Sequence, residues 1–559
     1  MAFSPSFPIS LIVLFSGCSL VKLFLFARKD TPIHCFVTAY AAFVLTFSSA
    51  VLLPFDIVMT VDLGRFDSSI KYIWRIMYWS LWMLNWFFLP VFIEQQRTGS
   101  WHVSLRNNSY YWIAYAIAGI IMLAYYLGTV GYTSFSEIYN FFYAMSFAFS
   151  NAYGLVLISV LLGYSFVALP QHLAQISDPG KYLLVLYARI VAADEDRLNS
   201  KFDLEDAFSA YRQNKANETP NAVEIFTSSA KFLNRSITEP AHLRTTRRVE
   251  SSGQTFIENL SPYDTPLGKL SDALGKAERA VCKFEHLVGN CVQIEDDLAG
   301  SVSELRKRVR KAELIVFKIG AYLTGGLSFV TIVAQSTIFI PVWWLSILAV
   351  LYRFLIKEHV DHSESDMWSA LLQVLVAIPL IYAYLASFWA AFRFKLSNSY
   401  GLYPNHNTDA FSLMWCSSIM SRTAFSICYN YIFVLRMQND QEDTAFMSTM
   451  KKLSMVPLFG STFVTVLPML ILVLAVMQYT RTYQRIIHWL GLTMLQMESA
   501  VYVGAGENLV KDGKAIVARE RQKKMQTNGD GNALGRAEKL ESLINGFNRD
   551  PSRSPRMSK

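Results

Sequence analysis

Arg422 is the residue of this sequence best placed to do chemistry, because it stands near the middle of an apolar span, in the run Cys416-Ser-Ser-Ile-Met-Ser-Arg-Thr-Ala-Phe-Ser-Ile-Cys428. A guanidinium at bilayer depth costs about 2.5 to 3.5 kcal/mol on insertion scales, so it must face a bundle interior or a wet cavity. No Asp or Glu lies at matching depth in another span. Two chemistries follow. The Arg is either structural, hydrogen-bonded to helix carbonyls and to polar side chains such as Asn85, Asn151 and Asn430, or it receives an anionic or lipophilic ligand such as a lipid headgroup. Hydrolytic, nucleotide and metal chemistry find no pattern: there is no HExxH, no Walker loop and no GxSxG, and the histidines show no paired ligand spacing. We expect no enzyme and no cofactor. Cys18, Cys35, Cys282, Cys291, Cys416 and Cys428 lack metal-ligand spacing and are expected to stay free thiols.

The elements that must position Arg422 are membrane helices. The chain has 559 residues, 52% hydrophobic and only 17% charged, with the apolar residues gathered in blocks of bilayer length. Spans are expected at residues 8–27, 33–53, 71–92, 110–130, 138–169, 313–335, 367–392, 411–435 and 455–479. Pro54 and Pro170 read as stops. Asp56 and Asp409 fall at span ends, where exposed capping or turn roles are expected. Segment 338–356 is apolar enough to cross. If it does not, Arg28 with Lys29, Arg97 with Arg106, Arg393 with Lys395, and Arg481 with Arg485 all fall on one side. The positive-inside rule therefore gives nine crossings plus one re-entrant or interfacial helix, with the N-terminus outside.

Between the fifth and sixth spans runs the one long polar stretch, residues 180–313. From Ala277 its apolar positions step by four and three: Val281, Phe284, Val288, Cys291, then Leu298, Val302, Leu305 and Val309, with Glu295 interrupting. That is a coiled-coil seam. Over 277–312 it predicts a rod of ~54 Å that continues the sixth span into water. The seam's partner is either the preceding segment, 181–214, in an antiparallel hairpin, or another chain. Residues 214–266 have no sustained periodicity and read as a flexible tip. From Glu507 to Lys559 twelve Lys and Arg face seven Asp and Glu, a basic tail suited to an anionic leaflet. The expected fold is thus an all-α polytopic membrane protein. It divides into an N-terminal membrane region (1–170), a cytosolic coiled-coil hairpin (171–312), a C-terminal membrane region (313–480) and a partly disordered cytosolic tail (481–559).

Several stretches also resemble a known family. They are Arg75-Ile-Met-Tyr-Trp79 leading to Leu89-Pro90 and Arg97-Thr-Gly99, then Asn151-Ala-Tyr-Gly154 with Leu161-Leu-Gly-Tyr164 and Pro170. His406-Asn-Thr-Asp-Ala-Phe-Ser412 before Arg422, Gly506-Glu-Asn-Leu509 and Arg519-Glu-Arg521 complete the set. Together they resemble the limb-region-1-like (LMBR-like) membrane protein family, in particular its branch of LMBR-domain-containing proteins of type 2. The resemblance implies a nine-span protein of the plasma membrane or an endomembrane, with a cytosolic coiled coil between spans 5 and 6. It also implies a part in receptor signalling, including beta-adrenergic signalling, in lipocalin uptake or in lysosomal cobalamin export. Two places depart from the family pattern: the outer loop after Asp56 is short, and Thr423-Ala-Phe425 stands where tandem prolines are expected. The expected partners are membrane lipids, proteins held by the coiled coil, and a lipophilic or anionic ligand, with no nucleic acid. A receptor or adaptor is the leading function and a transporter or lipid-handling protein its rival.

Overall fold

The computed structural model describes residues 6–63, 68–130, 134–213, 220–235, 266–299, 303–338, 340, 344, 346–354, 366–393, 400–437, 444–450, 461–489 and 507–529. Val302, most of the expected hairpin tip and residues 530–559 lie outside them. Among the described residues the chain is helical, apart from turns and one isolated parallel bridge between Ala27 and Thr408. It is an all-α membrane protein. Six helical stretches among these residues are long and apolar enough to cross a bilayer: Pro8–Phe26, Ile33–Thr60, Ser68–Thr98, Ala152–Ile176, Glu304–Ser336 and Leu371–Ala391.

The first half of the bundle comprises α1 (Ser6–Phe26), α2 (Ile33–Leu63), α3 (Ser68–Met83), a π-helical turn (Leu84–Phe88), α4 (Leu89–Thr98), α5 (Trp101–Val130) and α6 (Phe135–Ile176). Neither proline read as a stop ends its helix, since Pro54 lies inside α2 and Pro170 inside α6. Beyond Pro54 the reason is Asp56, which is completely buried rather than exposed. Its carboxylate accepts from the Trp74 indole N–H at 3.0 Å and from the backbone N–H groups of Ala445 and Phe446 at 3.1 and 2.8 Å. Those bonds hold the last turns of α2 against α3 and against the start of a short helix described below.

The hairpin consists of α7 (Pro179–Gln213), α8 (Pro220–Arg235) and α9 (Pro266–Ala299). Part of the expected tip is therefore helix. α7 and α9 run antiparallel: Leu186 and Ile190 pack with Phe284, Val288, Cys291 and Ile294, while Leu204 packs with Leu270 and Ala277. Burial pushes the Cys291 thiol up to about 12, as befits a packing residue. The rod, however, is not one helix. α9 ends at Ala299 and α10 (Glu304–Ser336) begins five residues later. Ile294, not Glu295 or Leu298, takes the next buried position, and Leu298, Leu305 and Val309 are exposed. Val281 is half-buried.

After α10 come α11 (Ile347–Tyr352), α12 (Asp366–Ala391), α13 (Ala410–Val434), α14 (Ala445–Met450), α15 (Ser461–Tyr479), α16 (Thr482–Trp489) and α17 (Glu507–Gly529). α11 has six residues, ~9 Å of helix, too short to cross. Its N-cap Ser346 hydroxyl reaches the Val434 carbonyl at the end of α13. Nearby, Arg436 donates to the carbonyls of Ile338 and Ile340, at 2.5 and 3.2 Å, and to that of Thr337. These carbonyls lie past the end of α10, where a cation is favoured. α13 is the most enclosed helix, and some of its hydroxyls turn back on it: Ser417 donates to the Leu413 carbonyl at 2.7 Å and Thr423 to that of Ile419 at 3.0 Å.

Part of the expected tail is helix. α17 lies along α7, with Val517 buried in the hairpin core. Arg521 pairs with Asp296 at 2.6 Å and Glu295 at 3.4 Å, and Glu295 also accepts from the Tyr187 hydroxyl at 2.5 Å. Burial, then Glu295, raise the Tyr187 phenol above its ordinary value. The residue that interrupts the heptads is thus the polar anchor for a third helix. Contact is closest at Gly513, where a Cβ would come within 2.7 Å of the Tyr187 carbonyl carbon. Gly513→Val is accordingly expected to lift α17 at a cost of about 1 to 3 kcal/mol. Hydrogen exchange over 507–529 checks this; protection equal to wild type would contradict it.

Candidate functional site

Sequence reasoning projects the hairpin into water, whereas α9 lies against the end of the bundle. From Asp272 to His286 it touches three different membrane-helix ends and the loop before one of them, a stretch of ~21 Å. Arg97, in the last turn of α4, pairs with Asp272 at 3.1 Å. Arg28, just past α1, pairs with Glu278 at 2.7 Å. Arg279 is 6% exposed; its guanidinium sits 5.0 Å from both the Tyr400 and Phe411 rings and donates to Asp409 at 3.3 Å. Asp409 in turn accepts from the Ser412 N–H and caps α13.

The loop that carries Asp409 is fixed by α1. Asn405 and His406 both have positive φ, and the strand-like pairing beyond them brings the Thr408 N–H to Phe26 O at 3.0 Å and the Arg28 N–H to Thr408 O at 2.9 Å. His406 Nδ1 lies 2.9 Å from Ala27 O. Burial would by itself raise the Asp272 carboxyl, yet Arg97 and Lys276 outweigh it and hold the group below the ordinary carboxylate range. The seat is therefore a row of charge pairs and one buried, ring-stacked guanidinium, joining the hairpin to α1, α4 and α13. Arg28, Arg97 and Asp409 were legible as charges at span ends. Their partners on α9 were not, since sequence does not say which way a hairpin leans.

The intramembrane cluster is built differently. The π-helical turn places Asn85 against α13, where its side-chain oxygen accepts from Ser421 at 2.6 Å and its backbone carbonyl accepts from Arg422 Nη2 at 3.3 Å. Extra residues of this kind recur at functional sites, because they loosen the helix ladder and turn a carbonyl outward. The Arg422 guanidinium also lies 5.5 Å from the Tyr153 ring, an additional attraction for the cation. Next to it α6 and α13 meet at Gly154, where a Cβ would overlap the Ser426 hydroxyl and stand 2.9 Å from the Arg422 carbonyl. Arg422 makes no ion pair, and its Nε has no hydrogen-bond partner, among the described residues. Asn430 is buried two turns further along α13, ~12 Å away by helical rise, and does not join the cluster. Asn151 belongs to α6, but its side chain lies outside the described residues. Ser421, Tyr153 and Gly154 are the contributors that sequence reasoning passed over.

With helices of this length, a seated hairpin and Arg422 held by a π-turn carbonyl, the chain matches the model of LMBR1-like membrane proteins over residues 6–483. The chain belongs to that family. It is similar to LMBR1 domain-containing protein 2 homolog A of Dictyostelium discoideum, 20% identical over 496 residues that take in 83% of this chain and 64% of that protein. Likewise it is similar to the G-protein coupled receptor-associated proteins LMBRD2B of Danio rerio (21% identical; 82% of this chain, 69% of that protein) and LMBRD2 of Homo sapiens (20%; 82% and 70%). No solved structure matches the chain. For this LMBR1-like protein a multi-pass membrane location follows from the family and the apolar helices together. The family match ends before α17, so the helix that completes the hairpin lies beyond the matched residues.

Proposed function

We propose that the chain is a non-enzymatic, receptor-associated membrane protein that acts on G-protein-coupled receptor signalling or endocytic uptake through its hairpin, held on the cytosolic side. The observation that carries this reading is the seat of α9 on Arg97, Arg28 and Asp409, which makes the hairpin a rigid extension of the membrane bundle. Relatives whose names describe G-protein coupled receptor-associated proteins support the choice of partner. Nine crossings fit the same reading. The hairpin-side ends of α1, α4 and α13 gather at the seat, and α6 and α12 meet on that side through His172 and Arg393, while α11 stays at the opposite end beside Val434. The plasma membrane or an endomembrane would hold the chain, with lipids and hairpin-bound proteins as its partners.

A second reading, a transporter or lipid-handling protein that receives an anionic or lipophilic solute, is favoured by Arg422 with its unpartnered Nε beside the π-turn. Arg422→Gln separates the two, because Gln keeps polarity but not charge. Under the receptor reading the variant co-purifies with a G-protein-coupled receptor as the wild type does, once normalised to abundance, and solute flux is unchanged. A variant of normal abundance that loses flux of an anionic amphiphile while receptor capture persists would overturn that reading in favour of the second.

A further inference from the structure

The part of the seam that the hairpin leaves uncovered continues without interruption into the membrane. Along α10, Leu305, Val309, Ala312, Val316, Ile319 and Leu323 recur at steps of four and three, and all are exposed. In heptad terms Leu305, Ala312 and Ile319 are d positions, and Val309, Val316 and Leu323 are a positions. The opposite face is already used: Ser328, Thr331, Ala334 and Gln335 are buried. Apolar residues facing lipid need no cover, but α10 has 33 residues, ~50 Å of helix against a hydrocarbon core of ~30 Å. Its first turns therefore stand in water, and there Leu305 is 75% and Val309 51% exposed.

We infer that two copies of the chain pair in parallel along α10, through the stripe from Leu305 to Leu323. Copies inserted in one membrane share an orientation, so a parallel pair is the arrangement open to them. Val309 and Val316 at a, with Leu305 at d, are of the two-stranded type, and Ala312 at the next d lets two backbones approach; Ile319 at d and Leu323 at a do not add to that preference. The flanks agree. Arg308 falls at g and Glu313 at the following e, which are the positions that meet between parallel helices, so each Arg308 faces Glu313 of the second copy. Arg308 is exposed and makes no ion pair among the described residues, whereas Glu313 pairs with Arg310 of its own helix at 3.0 Å and would be shared with the second copy. Arg306, the other basic flank, is already held by Asp297 at 3.4 Å. Further up, Gly326 occupies the next d position, and a Cβ there would meet nothing within 4 Å, which leaves room for a second backbone.

The test uses the full-length chain in native membranes. Leu305→Cys and Val309→Cys are oxidised to covalent dimers, with Lys307→Cys on the outer face and the unsubstituted chain as controls. Roughly tenfold more dimer is expected at the two seam positions, as knobs at a and d face each other across the pair. Independently, Arg308→Glu and Glu313→Arg each place like charges across the seam and should weaken self-association of tagged copies roughly tenfold, while the two variants together restore it as a mixed dimer. Both substitutions are at exposed positions off the seam; Glu313→Arg also removes the pair with Arg310 of its own helix, so recovery in the mixed dimer is the deciding result. Monomers in every sample, equal crosslinking at seam and control positions, or swapped charges without effect would overturn the pairing and leave lipid as the cover of the stripe.

Discussion

Asp56→Ala is expected to leave little of the chain folded in detergent or membrane. The substitution strands three donors at once, the Trp74 indole and the Ala445 and Phe446 backbone N–H groups, in a place from which solvent is excluded. Each unsatisfied buried donor costs about 1 to 3 kcal/mol, so three of them cost about 3 to 9 kcal/mol, comparable with the net stability of many domains. Packing would suffer as well, since the Trp74 ring stands edge-on to Phe446 at 4.8 Å and to Phe425 at 5.7 Å. Asp56→Asn should recover only part, because one carboxylate oxygen serves both Trp74 and Phe446 and an amide nitrogen placed there would face two donors. Thermal unfolding followed by size exclusion measures this. An Asp56→Ala protein that melts with the wild type would mean the carboxylate ties nothing together.

Arg279→Ala carries the second large effect. It removes a guanidinium buried between Tyr400 and Phe411 and leaves Asp409 without its cation. Losing one partner of a buried pair costs about 3 to 5 kcal/mol, to be discounted here because Asp409 retains some exposure and keeps its cap on Ser412. Arg279→Lys should fall between, since a compact ammonium cannot stack on two rings. The expected signature is local: faster hydrogen exchange over 272–286 of α9, with α13 still protected. Acid should act at the same place. Because the Asp272 pKa is depressed in the folded chain, its contribution is present above the ordinary carboxylate value of about 4 and fades only as pH falls below it. Near neutrality the seat is intact.

The helical class and the membrane location were legible because blocks of apolar residues at bilayer length admit few alternatives. The seam was legible as a stripe, and Phe284, Val288 and Cys291 are buried on it. Its division was not: heptad steps continue through the gap between Ala299 and Glu304, so periodicity alone joins two helices whose stripes face different surroundings. Pro54 and Asp56 misled for a related reason. A proline and an aspartate after an apolar run ordinarily end a span, and only the donors brought by α3 and α14, distant in sequence, keep the helix going. Arg422 announced itself by charge in an apolar run, yet its partner is the carbonyl of a π-turn, which no residue type encodes.

Under the proposed function, the seated hairpin carries the association with receptors. Photo-crosslinking residues introduced singly at exposed α7 positions Glu195, Asn199 and Asp206 of the full-length chain, co-expressed with a G-protein-coupled receptor, test it most directly. The account predicts crosslinks to the receptor from these positions, weakened when Arg279→Ala unseats α9, and none from control positions Tyr111 and Ile120 on the exposed side of α5. Crosslinks from α5 alone, or hairpin crosslinks unaffected by Arg279→Ala, would contradict it.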